Sequence, residues 1–272
     1  MHILTFQITD WFHNQNDRRY ISGHIWKSLP IRIDENTNRI LELLEEFEVK
    51  ATFFILGWVS ENHPGLVRRI YEAGHEIAAY SNWHHSAKRL VPEDFEKDLV
   101  MCLSRLENVT GEQITSYRAP GFSLRLKDQW AFDILAANGI TVDSSVELIG
   151  QKHKTPIIIK VGDKQILEFP LLKSAISIPY SGGVYFRAMP KFLFNFLFSD
   201  KLDKGGKDMY RLLYFHPSDF DPHNPYSNLS SLYRNWLASY NTGNCMDRLR
   251  SILQTYDTCT LGEAASIYKS KQ

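Results

Sequence analysis

Ile3-Leu4-Thr5-Phe6-Gln7-Ile8-Thr9-Asp10-Trp11-Phe12-His13 begins as an apolar, β-prone run and ends abruptly in polar side chains. A strand buried on both faces reads as such a run, and the polar end marks where it reaches the rim of an α/β domain. At the carboxyl ends of parallel strands, catalytic and ligand-binding groups converge on one crevice. Three later stretches read the same way: His75–His85, Tyr117–Ser123 and Tyr214–Pro222. Together these ends supply Gln7, Thr9, Asp10 and His13, then Tyr80, Asn82, His84 and His85, then Arg118, and finally His216 with Asp219 and Asp221 just beyond. Acids, imidazoles and an arginine on one rim suit metal-assisted hydrolysis or acid–base chemistry. Polar residues at strand ends also serve plain solvation, so spacing alone leaves both readings open.

Outward from the first strand, Ile40, Leu43, Leu44 and Phe47 recur at helical spacing within Asp34–Val49. Ala51–Leu56 is an expected second strand, and Pro64–Ala73 a helix stopped by Gly74. His75–Ala79 follows as a strand. Pro92–Val109 is a long amphipathic helix with Pro92, Glu93 and Asp94 in its first turn, where the missing N–H and the helix dipole favour them. Ile114–Ala119 is a strand, Leu126–Asn138 a helix closed by Gly139, and Ile140–Ser145 a strand. Alternation of strand and helix is the mark of parallel βαβ units. Beyond residue 150 the pattern changes. Pro156–Val161 and Gln165–Phe169 flank Gly162-Asp163 as a hairpin, and Ser181-Gly182-Gly183 reads as a turn or a close backbone approach, not a phosphate cradle. Phe192–Phe198 reads as a partly exposed aromatic helix. Met209–Phe215 is a strand, Leu229–Ser239 and Met246–Tyr256 are helices, Thr258–Leu261 is a last strand and a final helix starts at Glu263. One continuous domain over 1–272, with an irregular insertion around 150–205, is the expected organisation.

Composition excludes several classes. Formal net charge is zero with scattered cations, which argues against nucleic acid or an anionic membrane surface as partner. Cys102, Cys245 and Cys259 have no metal-type spacing and imply no disulfide framework. No basic-then-apolar leader and no apolar run of ~20 residues is present, so a soluble cytoplasmic protein is expected. Some of the 13% aromatic content is core, and aromatic faces also line ligand clefts.

Seven stretches together resemble the NodB-homology polysaccharide deacetylases, carbohydrate esterase family 4, and within them the branch tied to exopolysaccharide and capsule loci. They are TFQITDWFH (residues 5–13), KATFFILGWV (50–59), AGHEIAAYSNWHH (73–85), YRAPGFSL (117–124), DSSV (143–146), SGGVYFR (181–187) and YFHPSDFDP (214–222). The resemblance implies a distorted (β/α) barrel with fewer than eight regular repeats and a groove at the carboxyl strand ends. It implies hydrolysis of an acyl amide or ester on N-acetylated, amino-sugar glycans, assisted by a divalent metal, usually zinc. The family's catalytic base falls on Gln7, which cannot accept a proton at useful pH. The next acidic position falls on Thr9 in one alignment and on Asp10 in another. The family's pair of metal-binding histidines falls on Tyr80 and His84, and a phenol is a poor zinc ligand beside imidazole.

By the same resemblance, Arg118 orients the base and here would hydrogen-bond the Gln7 carbonyl, while His216 is the general acid. The groove would be lined by Thr9, Tyr80, Trp83, Pro120, Gly121 and Phe122, and Trp11, Trp58 and Trp83 are core packing or a sugar floor. His84 and His85 are either ordinary loop residues or parts of a remade metal site with Asp10 and His13. Arg118 and His216 likewise have structural readings as hydrogen-bonded strand-end residues. Two functions stand open: a deacetylase with an altered metal site in surface polysaccharide biosynthesis, or a pseudoenzyme that binds carbohydrate or scaffolds an assembly complex.

Overall fold

The computed structural model describes residues 1–13, 21, 23–149, 155–173, 181–198, 209–225, 236 and 239–272. Strand β1 (His2–Ile8) is buried along its whole length, as its apolar run requires, and lies between β10 (Arg211–Phe215) and β2 (Thr52–Ile55). The main sheet continues through β3 (Glu76–Ala79), β4 (Ser116–Tyr117), β5 (Val142–Asp143), β8 (Lys164–Glu168) and β7 (Ile157–Val161) in the order β10-β1-β2-β3-β4-β5-β8-β7. A short strand β11 (Thr258–Cys259) pairs with the start of β1. Every neighbouring pair in this sheet is parallel except the β7–β8 hairpin. Parallel strands need crossovers, and the helices that provide them cover the sheet: α1 (Ile33–Glu46), α2 (Gly57–Asn62), α3 (Pro64–Glu72), α4 (Pro92–Thr110) and α5 (Gln129–Ala137). The sheet curls into a half-barrel, which bears out the distorted (β/α) barrel.

The described parts of the segment around 150–205 are more regular than an insertion. The expected hairpin forms, and β8 joins β5 in parallel with Val142 opposite Leu167 and Asp143 opposite Glu168, so the hairpin extends the main sheet. A second sheet pairs β6 (Glu147–Ile149) with β9 (Leu171–Lys173). Gly182 makes the close approach expected of it, bridging Tyr214 of β10, and a helix α6 (Gly183–Ala188) starts at once where only a turn was expected. Helix α7 (Lys191–Phe198) turns Phe194 and Phe198 inward and leaves Phe192 76% exposed.

Helix α2 has no counterpart in the sequence reading. Its residues Gly57, Trp58, Val59 and Ser60 are all buried, so no polar face signals a helix. Helix α8 (Cys245–Leu253) is shorter than expected. Helix α9 (Leu261–Lys269) begins two residues early because Thr260 and Glu263 form a capping box. The expected helix at 229–239 lies almost wholly outside the described residues. Among the described residues no helix is long and apolar enough to cross a membrane.

Candidate functional site

Because the strands run parallel, the ends of β1, β3, β4, β5 and β10 deliver Gln7–Asp10, Tyr80–His85, Arg118–Phe122, Asp143–Ser145 and His216 to one rim. Thr9 Oγ1 lies 2.9 Å from His216 Nδ1, which joins the first and last of these ends. Burial lowers the affinity of His216 for a second proton, with Asp219 opposing and Arg118 and Arg187 reinforcing that effect. The Tyr80 and His84 rings stand 5.3 Å apart. Burial pushes the Tyr80 phenol up, against the Arg118 charge and an N–H bond from Gly121, so it stays protonated. His84 is driven down to about 3, first by burial and then by His216 and His85, so its ring is neutral at ordinary pH. Its Nε2 and the Gln7 Nε2 are both buried without a hydrogen-bond partner.

The loops here are held in uncommon conformations. Ser81, His84 and Phe122 have φ of 64°, 60° and 49°, three of the five non-glycine residues with positive φ among those described. Non-glycine side chains adopt this region only when their surroundings impose it. The imposition is visible for the first loop. Asp98 of α4 accepts from the Asn82 and Trp83 backbone N–H groups at 2.8 and 3.2 Å, Arg105 donates to Asn82 Oδ1, and the Gly57 and Trp58 N–H groups donate to the Ser81 and Asn82 carbonyls.

Asp10, expected as a metal ligand, has both carboxylate oxygens engaged by backbone N–H groups. Its Oδ1 accepts from Trp11 N at 2.8 Å, and its Oδ2 accepts from Arg32 N at 2.8 Å and Ile33 N at 3.0 Å. The last two are free N–H groups at the start of α1, so the carboxylate is the anion that caps the helix. His13 is engaged on one side of its ring. Its Nδ1 accepts from Asp10 N at 2.9 Å, and its ring packs edge-on at 4.4 Å from Trp26 and 4.9 Å from Trp58. Burial first, with His84 and His63 adding, holds it well below the usual imidazole range. Trp58 is core, as is Trp26, which the sequence reading did not single out, while Trp11 and Trp83 are half-buried at the rim.

Arg118 is fully buried, and its hydrogen bonds go to Thr5 and Ser144 instead of Gln7. Its Nη1 donates to Thr5 Oγ1 at 2.9 Å, its Nη2 to Ser144 Oγ at 3.0 Å and its Nε to the Ser144 carbonyl at 3.1 Å. It stacks over Phe54 at 4.0 Å and Phe122 at 5.0 Å. The guanidinium therefore locks strands together, because Thr5 in turn donates to the Leu213 carbonyl of β10. Burial brings Arg118 down to about 10, against the pull of Tyr80, Asp143 and Glu168. Asp143 and Glu168 are buried carboxyls in register on β5 and β8. Burial and the Asp143 charge push Glu168 well above the usual range, so it keeps its proton. Glu168 carried no signal in the sequence, and Asp143 lay inside a matching stretch without a role.

Of the expected groove residues, Thr9, Tyr80, Pro120 and Phe122 are buried, Trp83 is half-buried and Gly121 is exposed. Asp219 and Asp221 are spent in ion pairs, the first with the buried Arg187 at 3.1 Å and the second with the half-buried Arg32 at 2.8 Å. Burial raises the Asp221 carboxyl, but the Arg32 and Asn36 hydrogen bonds outweigh it and leave the group below its ordinary value.

A divalent cation needs anionic or imidazole donors around one point. Gln7, Thr9 and Tyr80 are neutral oxygen or amide groups, and Asp10 is committed to α1. That leaves the imidazoles of His84 and its neighbours His85 and His216, and among the described residues no three His, Cys, Asp or Glu side chains are placed to hold a metal. These donors do not fit zinc.

Comparison with known proteins agrees with the fold. Residues 26–142 match the family model described as polysaccharide deacetylase, and residues 143–266 match one described as a domain of unknown function, DUF3473. A peptidoglycan-N-acetylglucosamine deacetylase of Bacillus cereus is 29% identical over 119 residues, covering 43% of this chain and 42% of the relative. A chitooligosaccharide deacetylase of Bradyrhizobium is 24% identical over 102 residues, covering 38% of this chain and 44% of the relative. These matches thus span less than half the length of either relative. Among solved structures, a Mycobacterium smegmatis protein assigned to the polysaccharide deacetylases superposes with a TM-score of 0.68 at 20% identity, covering 99% of this chain and 90% of that one. A carbohydrate esterase family 4 pseudoenzyme from Bacillus anthracis superposes with a TM-score of 0.51 at 17% identity, covering 97% of this chain and 64% of that one. With its strand ends gathered on one rim and residues 26–142 matched, the chain carries a polysaccharide deacetylase domain of the NodB or carbohydrate esterase 4 type.

Proposed function

We propose that this protein binds an N-acetylated glycan of surface polysaccharide biosynthesis at the strand-end rim and does not hydrolyse it by the metal-dependent route general to the family's deacetylases. The observation that carries this reading is the donor set. Amide, hydroxyl and phenol stand at Gln7, Thr9 and Tyr80, and the nearby carboxylate of Asp10 is tied to α1. Such a hydrolysis needs an activated water and a Lewis acid. General-base action by itself accounts for about 10²–10⁴-fold in rate. Neutral, partly unsatisfied N–H groups suit an uncharged sugar, and the half-buried Trp83 offers it an aromatic face. Relatives acting on peptidoglycan N-acetylglucosamine and chitooligosaccharides support the substrate class. A pseudoenzyme with this fold, and a mutant of it with restored enzymatic activity, give the precedent.

The test is metal content by mass spectrometry after purification without chelator, with calorimetric titration of chitotetraose. Wild type should hold no stoichiometric metal and should bind the sugar. The triple variant Gln7→Asp/Thr9→Glu/Tyr80→His should acquire zinc. Near-stoichiometric zinc in the wild type, lost in His84→Ala, would sink the reading. The alternative, a deacetylase with a rebuilt site, draws on His84 and His216, the second of which adds to the burial that keeps His84 neutral.

A further inference from the structure

His216 is gripped from two sides. Its ring meets Thr9 Oγ1, as above. Its main chain belongs to a closed turn, in which His216 N donates to Asp219 Oδ2 at 2.9 Å and Asp219 N donates to the His216 carbonyl at 2.9 Å. The other carboxylate oxygen, Asp219 Oδ1, accepts from Arg187 Nε at 3.1 Å. Arg187 sits on α6, far from β10 in sequence and 3% exposed. It is itself fixed, since its Nη1 donates to the Tyr240 carbonyl at 2.6 Å and Asn241 Nδ2 donates to its carbonyl at 2.7 Å. Gly182 brings α6 close enough for this, because its backbone lies against the Tyr214 carbonyl where a Cβ would collide.

Burying both charges is costly, and a well-packed apolar pair would commonly serve stability as well or better. What the ion pair adds is direction: a bonded carboxylate beneath one specific backbone N–H. We infer that Arg187 and Asp219 are positioning residues for His216, and that the 143–266 segment thereby completes the rim site instead of forming a separate appendage. The functional consequence rests on the glycan reading of that rim, whereas the positioning itself does not.

The groups that act on the His216 ring are Thr9, Asp219, Arg118, Arg187 and His84. The test is NMR of the full chain with ¹³C-labelled histidine, the His216 signal being assigned by its loss in His216→Gln. Arg187→Gln, Asp219→Asn and the double variant are compared with wild type. The His216 resonance should move in all three. Its titration should shift down in Asp219→Asn, where an attracting charge is lost, and up in Arg187→Gln, where a repelling one is lost. Mere loosening would shift both towards the free imidazole value. Affinity for chitotetraose should fall about tenfold or more. If a single variant does not fold, the double variant carries the test, since no lone buried charge remains in it. A folded double variant with His216 resonance and titration unchanged overturns the inference. Failure of wild type to bind chitotetraose overturns the glycan reading instead, and the resonances still decide the positioning.

Discussion

Glu168 and Asp143 show how much of this site turns on single buried groups. Ser145 Oγ donates to Asp143 Oδ1 at 2.6 Å, and Val146 N donates to Glu168 Oε1 at 3.0 Å. With Arg118 close by, one negative charge is balanced and the second carboxyl stays protonated. Glu168→Gln should therefore change stability at pH 7 by less than about 1 kcal/mol, because an amide also donates. Arg118→Met should cost about 3–5 kcal/mol, because it leaves the remaining buried charge uncompensated. The sign with pH follows. A carboxyl raised in the fold contributes stability below its unfolded value of ~4.3 and loses it as pH rises through the folded value, so Glu168→Gln should flatten the alkaline side of the profile. Urea midpoints at pH 6 and pH 9 check both; an equal loss from the two substitutions would mean that Glu168 is ionised. At this scale, the replacements at Gln7, Thr9 and Tyr80 were legible from residue types alone. The engagement of Asp10 was not, since its three N–H donors come from Trp11, next in the chain, and from Arg32 and Ile33 beyond Pro30.

Elements with a clear period or a cap were legible, among them β1, α1, α3 and α4. Helix α2 was not, because a short helix buried in the molecule has no polar stripe. Nor was the partner of β8, since a hairpin pattern fixes its own pairing and leaves open which sheet edge it joins. The contact between Gly182 and β10 is the most exacting at this scale. Gly182→Ala places a methyl on the Tyr214 carbonyl, so α6 must shift away from β10. The expected loss is about 1–3 kcal/mol, the usual cost of overpacking a close contact. Thermal unfolding measures it, and a midpoint within 1–2 °C of wild type, where about 1 kcal/mol corresponds to roughly 2–4 °C for a chain of this size, would refute it.

For the molecule as a whole, His13, His75, His84 and His216 are all held below the ordinary imidazole value, chiefly by burial, with His75 at about 4 and His84 at about 3. A histidine kept neutral in the fold contributes stability above its unfolded value of ~6.5, and that contribution is lost as pH falls towards the folded value. Stability should therefore drop from about pH 6.5 downward, by up to about 1.4 kcal/mol per pH unit for each histidine. Urea unfolding between pH 7 and pH 5 should show it, and a flat profile would mean that these rings are solvated. His84→Gln should remove part of the slope.

By itself the sequence determined the layered strand–helix alternation, the strands that end at a rim and the absence of a base at Gln7, because periodicity and residue chemistry are local properties. Only the tertiary structure decided what each polar group there does. Asp10 became a helix cap, Arg118 a strand lock, and Asp219 the acid beneath His216. Inside the fold a charge must find its partner wherever the chain has brought one, and the partners of Asp219 and Asp221 stand 32 and 189 residues away.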